Sequence, residues 1–288
     1  MGGGPAGLTA ALYLARFLRT VTVFDAQEGR ARMIPRTHNL APFPDGISGG
    51  DLLDRMRTHA KLYGAVIETG TVRAVDKQGD VFHITTDRRV ESARNVILAA
   101  GVFNHRPPLS TEDHDRGLAE GLIRYCPVCD AYEIGGMRIA VLGNDTHGFD
   151  EASFVRHYSS SVTLIPPDGT PVEARNGITV LDAPMRGLAL SASEVVVTLE
   201  NGETRHFDTI YVAMGTTPRT DLAAKLGVRL AEGGCIVVDT KQRTSIDRVY
   251  AVGDVTDGLD QIAVAMGQGA IAATAIHNDL SQNVTGSG

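Results

Sequence analysis

The chain has 288 residues, 43% of them hydrophobic and 21% charged, enough apolar material for one large domain or two ordinary ones and too much for a disordered chain. A formal net charge of −7 with no Lys/Arg-rich run excludes a nucleic-acid binder, because phosphate binding needs a concentrated basic surface. No stretch reaches the roughly 18 uninterrupted apolar residues of a membrane span, no basic-then-apolar leader is read at the start, and three cysteines do not make a secreted disulfide framework; the expected compartment is the cytoplasm.

The first residues, MGGGPAGLTAALYLARFL, set Gly2, Gly4 and Gly7 in G-x-G-x-x-G spacing and run into an Ala/Leu-rich helix. In such a motif one glycine makes the tight turn, one lets the backbone approach a pyrophosphate, and one allows close helix–strand packing. The strand TVTVFDA follows and ends in Asp25, 18 residues beyond Gly7 and close to the separation at which an acid reaches a ribose hydroxyl. The motif should follow a strand of about five or six residues. Only Met1 precedes Gly2, so the first strand is expected upstream of the numbered chain.

GISGGDLLDRMRTHAKLYGA reads as an amphipathic helix, and residues 71–101 as a β-meander ending in a buried strand. RIAVLG is a buried strand, NDTHGFDEASFVRHY a helix and SVTLI a further strand. Two strand pairs later, FDTIYVAMGTTPRTDL closes the middle block. The last segment reads as a strand at GGCIVVD, a turn, the strand VYAVGD and a long small-residue helix, with a frayed polar tail, SQNVTGSG. The expected fold is α/β, with two Rossmann-like three-layer FAD/NAD(P)-binding domains, the second inserted into the first. Residues 1–112 and 217–288 form the first and residues 113–216 the second.

Two short motifs carry chemistry. CPVCD spaces Cys126 and Cys129 two residues apart with Asp130 directly behind. A CxxC pair is a redox couple, half of a zinc site, or two structural thiols. Zinc needs four ligands, and no second CxxC or H-x-x-x-H accompanies this pair, so no metal is expected. In the redox reading a thiol of lowered pKa attacks, and its neighbour resolves the mixed disulfide. Asp130 would then give or take the proton, provided burial raises its pKa. VYAVGD puts Asp254 at the C-terminal end of a buried strand, where α/β sheets bind ligands. Cys235 reads as an inert buried thiol.

GGGPAGLTAALYLAR, CPVCD, AMGTTPRTDL and YAVGDV stand in the order and spacing of the low-molecular-weight thioredoxin reductases, which nearly the whole chain resembles. The resemblance implies FAD held by Gly2, Gly4, Gly7, Asp25, Gly253 and Asp254, with backbone contacts near Gln261, Ile262 and Ala263. Asn39 falls where the family has a flavin-contacting Asn, within a loop that departs from the usual one. The family has Arg and Gln where this chain has Gln261 and Ile262. The resemblance further implies that Cys129 faces the flavin, that Cys126 attacks the partner's disulfide, and that the protein is a homodimer.

The family binds NADPH through a second G-x-G-x-x-G/A and a His-Arg-Arg run. Here the loop reads Gly143-Asn144-Asp145-Thr146-His147-Gly148, with an acid in place of the middle glycine, and SVTLI is followed by PPDGTPVEA, without Arg or His. Both departures oppose a phosphate, so this NADPH motif reads as eroded. The expected function is a flavin-dependent disulfide oxidoreductase exchanging electrons between FAD and Cys126–Cys129. Its partner is a thioredoxin-like protein or a small-molecule dithiol or disulfide, and its donor is not NADPH, reduced ferredoxin being one candidate. An NADPH-dependent thioredoxin reductase, an oxygen-using dithiol oxidase and a non-catalytic FAD-binding redox sensor are the alternatives.

Overall fold

The computed structural model describes residues 1–285, the side chains of Asp145 and of residues 283–285 excepted. In chain order come helix α1 (Pro5–Arg16), strand β1 (Thr22–Asp25), helix α2 (Gly49–Leu62) and strand β2 (Val66–Thr69). Strands β3 (Val72–Gln78), β4 (Val81–Thr86) and β5 (Val90–Ala93) make an antiparallel meander, followed by β6 (Val96–Leu98) and β7 (Val102–Asn104). Next are α3 (Thr111–Ala119), β8 (Ile123–Arg124), α4 (Pro127–Asp130), β9 (Arg138–Leu142) and α5 (Asp145–Arg156). Strands β10 (Ser161–Ile165), β11 (Thr179–Val180), β12 (Met185–Leu190), β13 (Val195–Leu199) and β14 (Thr204–Phe207) follow. The chain closes with β15 (Thr209–Val212), β16 (Thr216–Pro218), α6 (Asp221–Lys225), β17 (Val249–Ala251) and α7 (Ile262–Thr285).

The fold is mixed α/β and packs as two compact units. The first takes Met1–Ile34, Ser48–Phe103 and the chain from Thr217 onward; the second takes Pro35–Ile47 and Asn104–Thr216. Residues 35–47 thus belong to the second unit, whose main segment begins at Asn104.

In the first unit β1 pairs in parallel with β2, and β17 with β6. Met1 and Gly2 join these pairs. Gly2 N–H donates to Phe24 O at 2.9 Å, and Ala99 N–H donates to Met1 O at 2.8 Å. Phe24, Phe82, Ile84, Val96, Leu98 and Val249 form the core beneath the meander; full burial of a side chain such as Phe82 stabilises by about 1.5–3 kcal/mol.

Helix α1 starts where Pro5 takes the first helical position behind an extended Gly4, a place where its missing N–H costs nothing. Its face of Ala6, Ala10 and Leu14 packs on Ala265, Ala272, Ala273 and Ile276 of α7. The backbones come close at Gly269, where a Cβ would stand 2.3 Å from Ala6 O. Helix α2 begins at Ser48, whose hydroxyl accepts from Asp51 N–H at 3.0 Å.

The second unit is built on a parallel five-stranded sheet in the order β11-β10-β9-β15-β8. Strands buried on both faces read as continuous apolar runs, and Ile139 to Leu142 of β9 are all fully buried. Phe149 and Val155 of α5 pack on Ile139, Val141, Leu164 and Tyr211. An antiparallel β12-β13-β14 sheet completes the unit.

Two expected elements differ. GGCIVVD forms no strand: Ile236 N–H goes to Val255 O, Val237 N–H to Arg229 O, and Cys235 O accepts from Ala231 N–H. These bonds scatter over separate neighbours, so no ladder forms, and Ile236 makes only isolated bridges. The tail expected to fray is helical through Thr285, and residues 286–288 lie outside the described residues. Among the described residues no helix is long and apolar enough to cross a membrane.

Candidate active site

The CxxC follows directly on β8. Cys126 is extended, Pro127 takes the first helical position of α4, and Cys129 N–H donates to Cys126 O at 2.9 Å. The two cysteines form a disulfide with their Cα atoms 5.3 Å apart. Asp130 ends the helix, and both of its carboxylate oxygens are engaged. Arg124 Nη1 donates to Oδ2 at 2.8 Å, and the Tyr211 hydroxyl donates to Oδ1 at 2.6 Å. The Asp130 side chain is 24% exposed and that of Arg124 17%, so the pair lies at the edge of the solvent rather than in a sealed pocket. Burial first, and the Asp130 carboxylate second, push the Tyr211 phenol far above its ordinary value and keep it a donor.

Asn39 lies with this disulfide. Its Nδ2 donates to the carbonyl of Val128, between the two cysteines, at 3.2 Å, and its Oδ1 accepts from the Thr37 hydroxyl at 2.8 Å. Cys126, Cys129, Asp130 and Asn39 thus belong to the second unit. Gly2, Gly4, Gly7, Asp25, Gly253, Asp254, Gln261, Ile262 and Ala263 belong to the first.

In the first unit the three motif glycines differ in what requires them. Gly2 has φ +110°, and a Cβ there would stand 2.0 Å from Ala99 O; one on Gly7 would stand 2.0 Å from Gly2 O. A Cβ on Gly4 would touch nothing within 4 Å. Gly4 therefore has open space before it at the N-terminus of α1, where backbone N–H groups favour an anion. Asp25 ends β1 and is buried. Its Oδ1 accepts from Gln27 N–H at 2.9 Å, and its Oδ2 from Arg57 at 2.7 Å.

Gly253, Asp254, Thr256, Asp260, Ala265 and Gln268 come together around the start of α7. Gly253, at φ +77°, donates its N–H to Gln268 Oε1 at 2.6 Å. Arg30 stands between two acids there, 2.8 Å from Asp260 Oδ2 and 3.4 Å from Asp254 Oδ2. Burial, and then the charge of Asp254, raise Asp260 above the usual carboxylate range despite Arg30. Gln261 precedes α7 and accepts from Ala265 N–H at 2.9 Å, so Ile262 and Ala263 occupy the first turn. An open glycine at one helix start, an acid at the end of β1 and a second acid behind β17 fit a dinucleotide such as FAD.

The equivalent loop of the second unit joins β9 to α5. A Cβ on Gly143 would stand 2.6 Å from Ala213 O, and one on Gly148 would stand 2.8 Å from the Gly143 carbonyl carbon. Both glycines are thus required by packing. Asn144 Nδ2 donates to Asp168 Oδ2 at 3.3 Å, and Thr170 N–H donates to Asp168 Oδ1 at 3.0 Å. The side chain of Asp145 lies outside the described residues.

Sequence reasoning missed Arg124, Tyr211, Arg30, Arg57, Asp260 and Gln268. A tyrosine within the apolar run TIYVA was a usable signal, since a buried phenol needs a partner. Nothing local marked the others.

The family model described as "Pyridine nucleotide-disulphide oxidoreductase" matches residues 1–269. A thioredoxin reductase of Treponema pallidum (strain Nichols) is 30% identical, over 98% of this chain and 97% of its own length. The crystal structure of thioredoxin reductase from Streptococcus pyogenes MGAS5005 is 25% identical, with a TM-score of 0.87 over 98% of this chain and 96% of that one. An atypical thioredoxin reductase, TRi, from Desulfovibrio vulgaris Hildenborough is 33% identical, with a TM-score of 0.53 over 95% of this chain and 94% of that one. The chain therefore belongs to the pyridine nucleotide-disulphide oxidoreductase family and is a flavin-dependent disulfide oxidoreductase of the thioredoxin reductase type.

Proposed function

We propose that the protein exchanges electrons between FAD and the Cys126–Cys129 pair, and between that pair and a thioredoxin-like protein or a small dithiol, with a donor other than NADPH. The first unit is the FAD-binding domain, and the second a degenerate nicotinamide-binding domain that serves to carry the CxxC. When bound, the flavin supplies the two-electron exchange with the cysteine pair. Gly2 and Gly7 shape the α1 turn, and Gly4 leaves room for the pyrophosphate. Asp25 and Asp254 offer carboxylates to ribose and ribityl hydroxyls, and Gln261, Ile262 and Ala263 offer backbone groups. Asn39 is assigned to the flavin by its place in the family; in this chain its hydrogen bond to Val128 also ties it to the redox loop.

At the cysteine pair the exchange is a nucleophilic substitution at sulfur, with Cys126 meeting the partner and Cys129 resolving the mixed disulfide. Asp130 handles the proton.

The observation that carries the donor reading is a contrast between two loops. In the first unit the middle motif position is a glycine, Gly4, that no packing requires. In the second unit the two outer glycines are ones that packing requires, and the middle position is an acid. A loop selected to receive phosphate would show the opposite pattern at residue 145. The downstream segment Pro166-Pro167-Asp168 adds no cation for a 2′-phosphate.

Relatives described as thioredoxin reductase favour a second reading, ordinary NADPH-dependent reduction of thioredoxin. An anaerobic titration followed at the flavin band separates the two. We expect no bleaching at micromolar NADPH and full bleaching with dithiothreitol or reduced ferredoxin. Stoichiometric bleaching by NADPH would establish the second reading instead.

A further inference from the structure

We propose that Tyr211 and Arg124 are positioning residues for thiol–disulfide exchange, fixing Asp130 as the proton-accepting carboxylate of the Cys126–Cys129 pair. The inference rests on the reading of those cysteines and Asp130 as the redox site.

The sheet aligns the two donors. β15 and β8 run parallel, and their register sets Tyr211 directly opposite Arg124. Tyr211 is fully buried within a strand whose four residues are all buried. A phenylalanine would fill this space without a polar atom to satisfy, whereas a phenol must find an acceptor. The Tyr211 hydroxyl finds Asp130 Oδ1 at 2.6 Å. Arg124 stands two residues before Cys126, and its guanidinium is held at a second point, because Nε donates to Thr209 Oγ1 at 3.2 Å. Thr209 is itself held, its hydroxyl donating to Gly121 O at 2.9 Å. The cation therefore cannot swing away from Asp130 without breaking a fixed bond.

A guanidinium and a phenol hydroxyl on separate oxygens leave Asp130 as an acceptor, oriented by two strands at the end of the cysteine-bearing helix. Its part in exchange with a dithiol follows. The first sulfur arrives as thiolate, its proton already in solvent, and attacks Cys126 Sγ. The Cys126–Cys129 bond breaks, and its electron pair leaves on Cys129 Sγ. The second S–H of the dithiol gives its proton to Asp130, and the thiolate so formed attacks the mixed disulfide. Cys126 departs as thiolate, and Asp130 returns its proton to solvent. The dithiol loses two electrons and the protein disulfide gains them. In the opposite direction the same proton travels back.

The test is single-turnover reduction of the flavin-loaded protein by dithiothreitol, anaerobic, from pH 5.5 to 8.5, acid-quenched, maleimide-labelled and counted by intact mass. The ratio of variant to parent at each pH cancels the reagent's own ionisation. D130N should slow reduction about a hundredfold at pH 7, and Y211F and R124Q about tenfold each. R124K should recover most of the R124Q loss. In the D130N background Y211F should cost less than about twofold, because Tyr211 acts only through Asp130.

If D130N is slow while Y211F and R124Q match the parent at every pH, this inference is overturned and the redox-site reading stands. If Y211F multiplies the D130N defect, Tyr211 is merely structural and the inference is likewise overturned. If D130N itself matches the parent, the assignment of Asp130 to the site fails. Should Y211F not fold, R124Q and R124K carry the same comparison from a less buried position.

Discussion

A Cβ on Gly7 would stand 2.0 Å from the carbonyl oxygen of Gly2, so these two residues close the first turn against each other with no space for a side chain. Gly4, between them in sequence, faces nothing within 4 Å. The same motif therefore contains glycines required by folding and one that only a ligand would require. G7A should lower stability by ~2–3 kcal/mol, as overpacking against backbone does. G4A should cost under ~1 kcal/mol, since an extended N-cap accepts alanine, yet retain at least tenfold less FAD after desalting. Thermal melts and flavin absorbance measure both. A G4A protein that keeps its flavin would place the pyrophosphate elsewhere.

The second dinucleotide loop yields the converse prediction. On the proposed reading, D145G alone should leave reduction by NADPH no faster than in the parent, because Pro166, Pro167 and Asp168 after β10 still offer no cation to a 2′-phosphate. Combining D145G with P166R and P167R should raise the rate of NADPH-driven bleaching at least tenfold, by removing an acid from the helix start and supplying bidentate phosphate partners. Stopped-flow absorbance at the flavin band reads it. A triple variant as slow as the parent would count against the acid and the missing cations as what sets the choice of donor.

Much of this was legible in the sequence because it is local. The glycine spacing, the buried run of β9, the VYAVGD strand end and the CxxC-Asp are each contained within a few residues. GGCIVVD was misread because its apolar run resembles a strand, whereas strand formation depends on where backbone partners lie. Cys235, Ile236 and Val237 find theirs at Ala231, Val255 and Arg229. The pairing of Arg124 with Tyr211 was out of reach for a related reason. Sheet register brings the two side by side, and register is a tertiary quantity that no spacing encodes. Asn39 carried no signal of its hydrogen bond to Val128, because a polar loop residue leaves no periodicity.

The three cysteines should differ sharply in reactivity once reduced. Cys235 is half-buried rather than buried as expected, and that partial burial, followed by the charges of Asp257 and Asp260, raises its thiol above its ordinary value. It offers little thiolate at neutral pH, and thiolate is the species that alkylates. After mild reduction, substoichiometric iodoacetamide at pH 7 should label Cys126 and Cys129 at least tenfold faster than Cys235, as peptide mass mapping would report. C235S should therefore leave dithiothreitol reduction of the disulfide unchanged. Equal labelling of all three would assign Cys235 a reactivity that its surroundings do not support.

The C-terminal helix is tied down by a carboxylate whose contribution depends on pH. Asp279 of α7 accepts from Arg243 at 2.6 Å and from the Tyr250 hydroxyl at 2.7 Å. Burial acts to raise Asp279, but the hydrogen bonds from Arg243 and Tyr250 prevail and hold it below the usual carboxylate range. A carboxyl group whose value is lower folded than unfolded adds stability above its unfolded value, near 4 for Asp, and loses it as the pH falls through the folded one. D279N should therefore melt lower than the parent at pH 7, by about 1 kcal/mol, since the amide keeps an acceptor for Tyr250 but loses the charge that Arg243 pairs with at the solvent edge. The difference should shrink between about pH 5 and pH 2 as the parent's carboxylate is protonated. Denaturant melts of both proteins across that range measure the gap. A gap that stays constant to pH 2 would mean that the charge on Asp279 contributes nothing, and that the asparagine disturbs only the packing of α7.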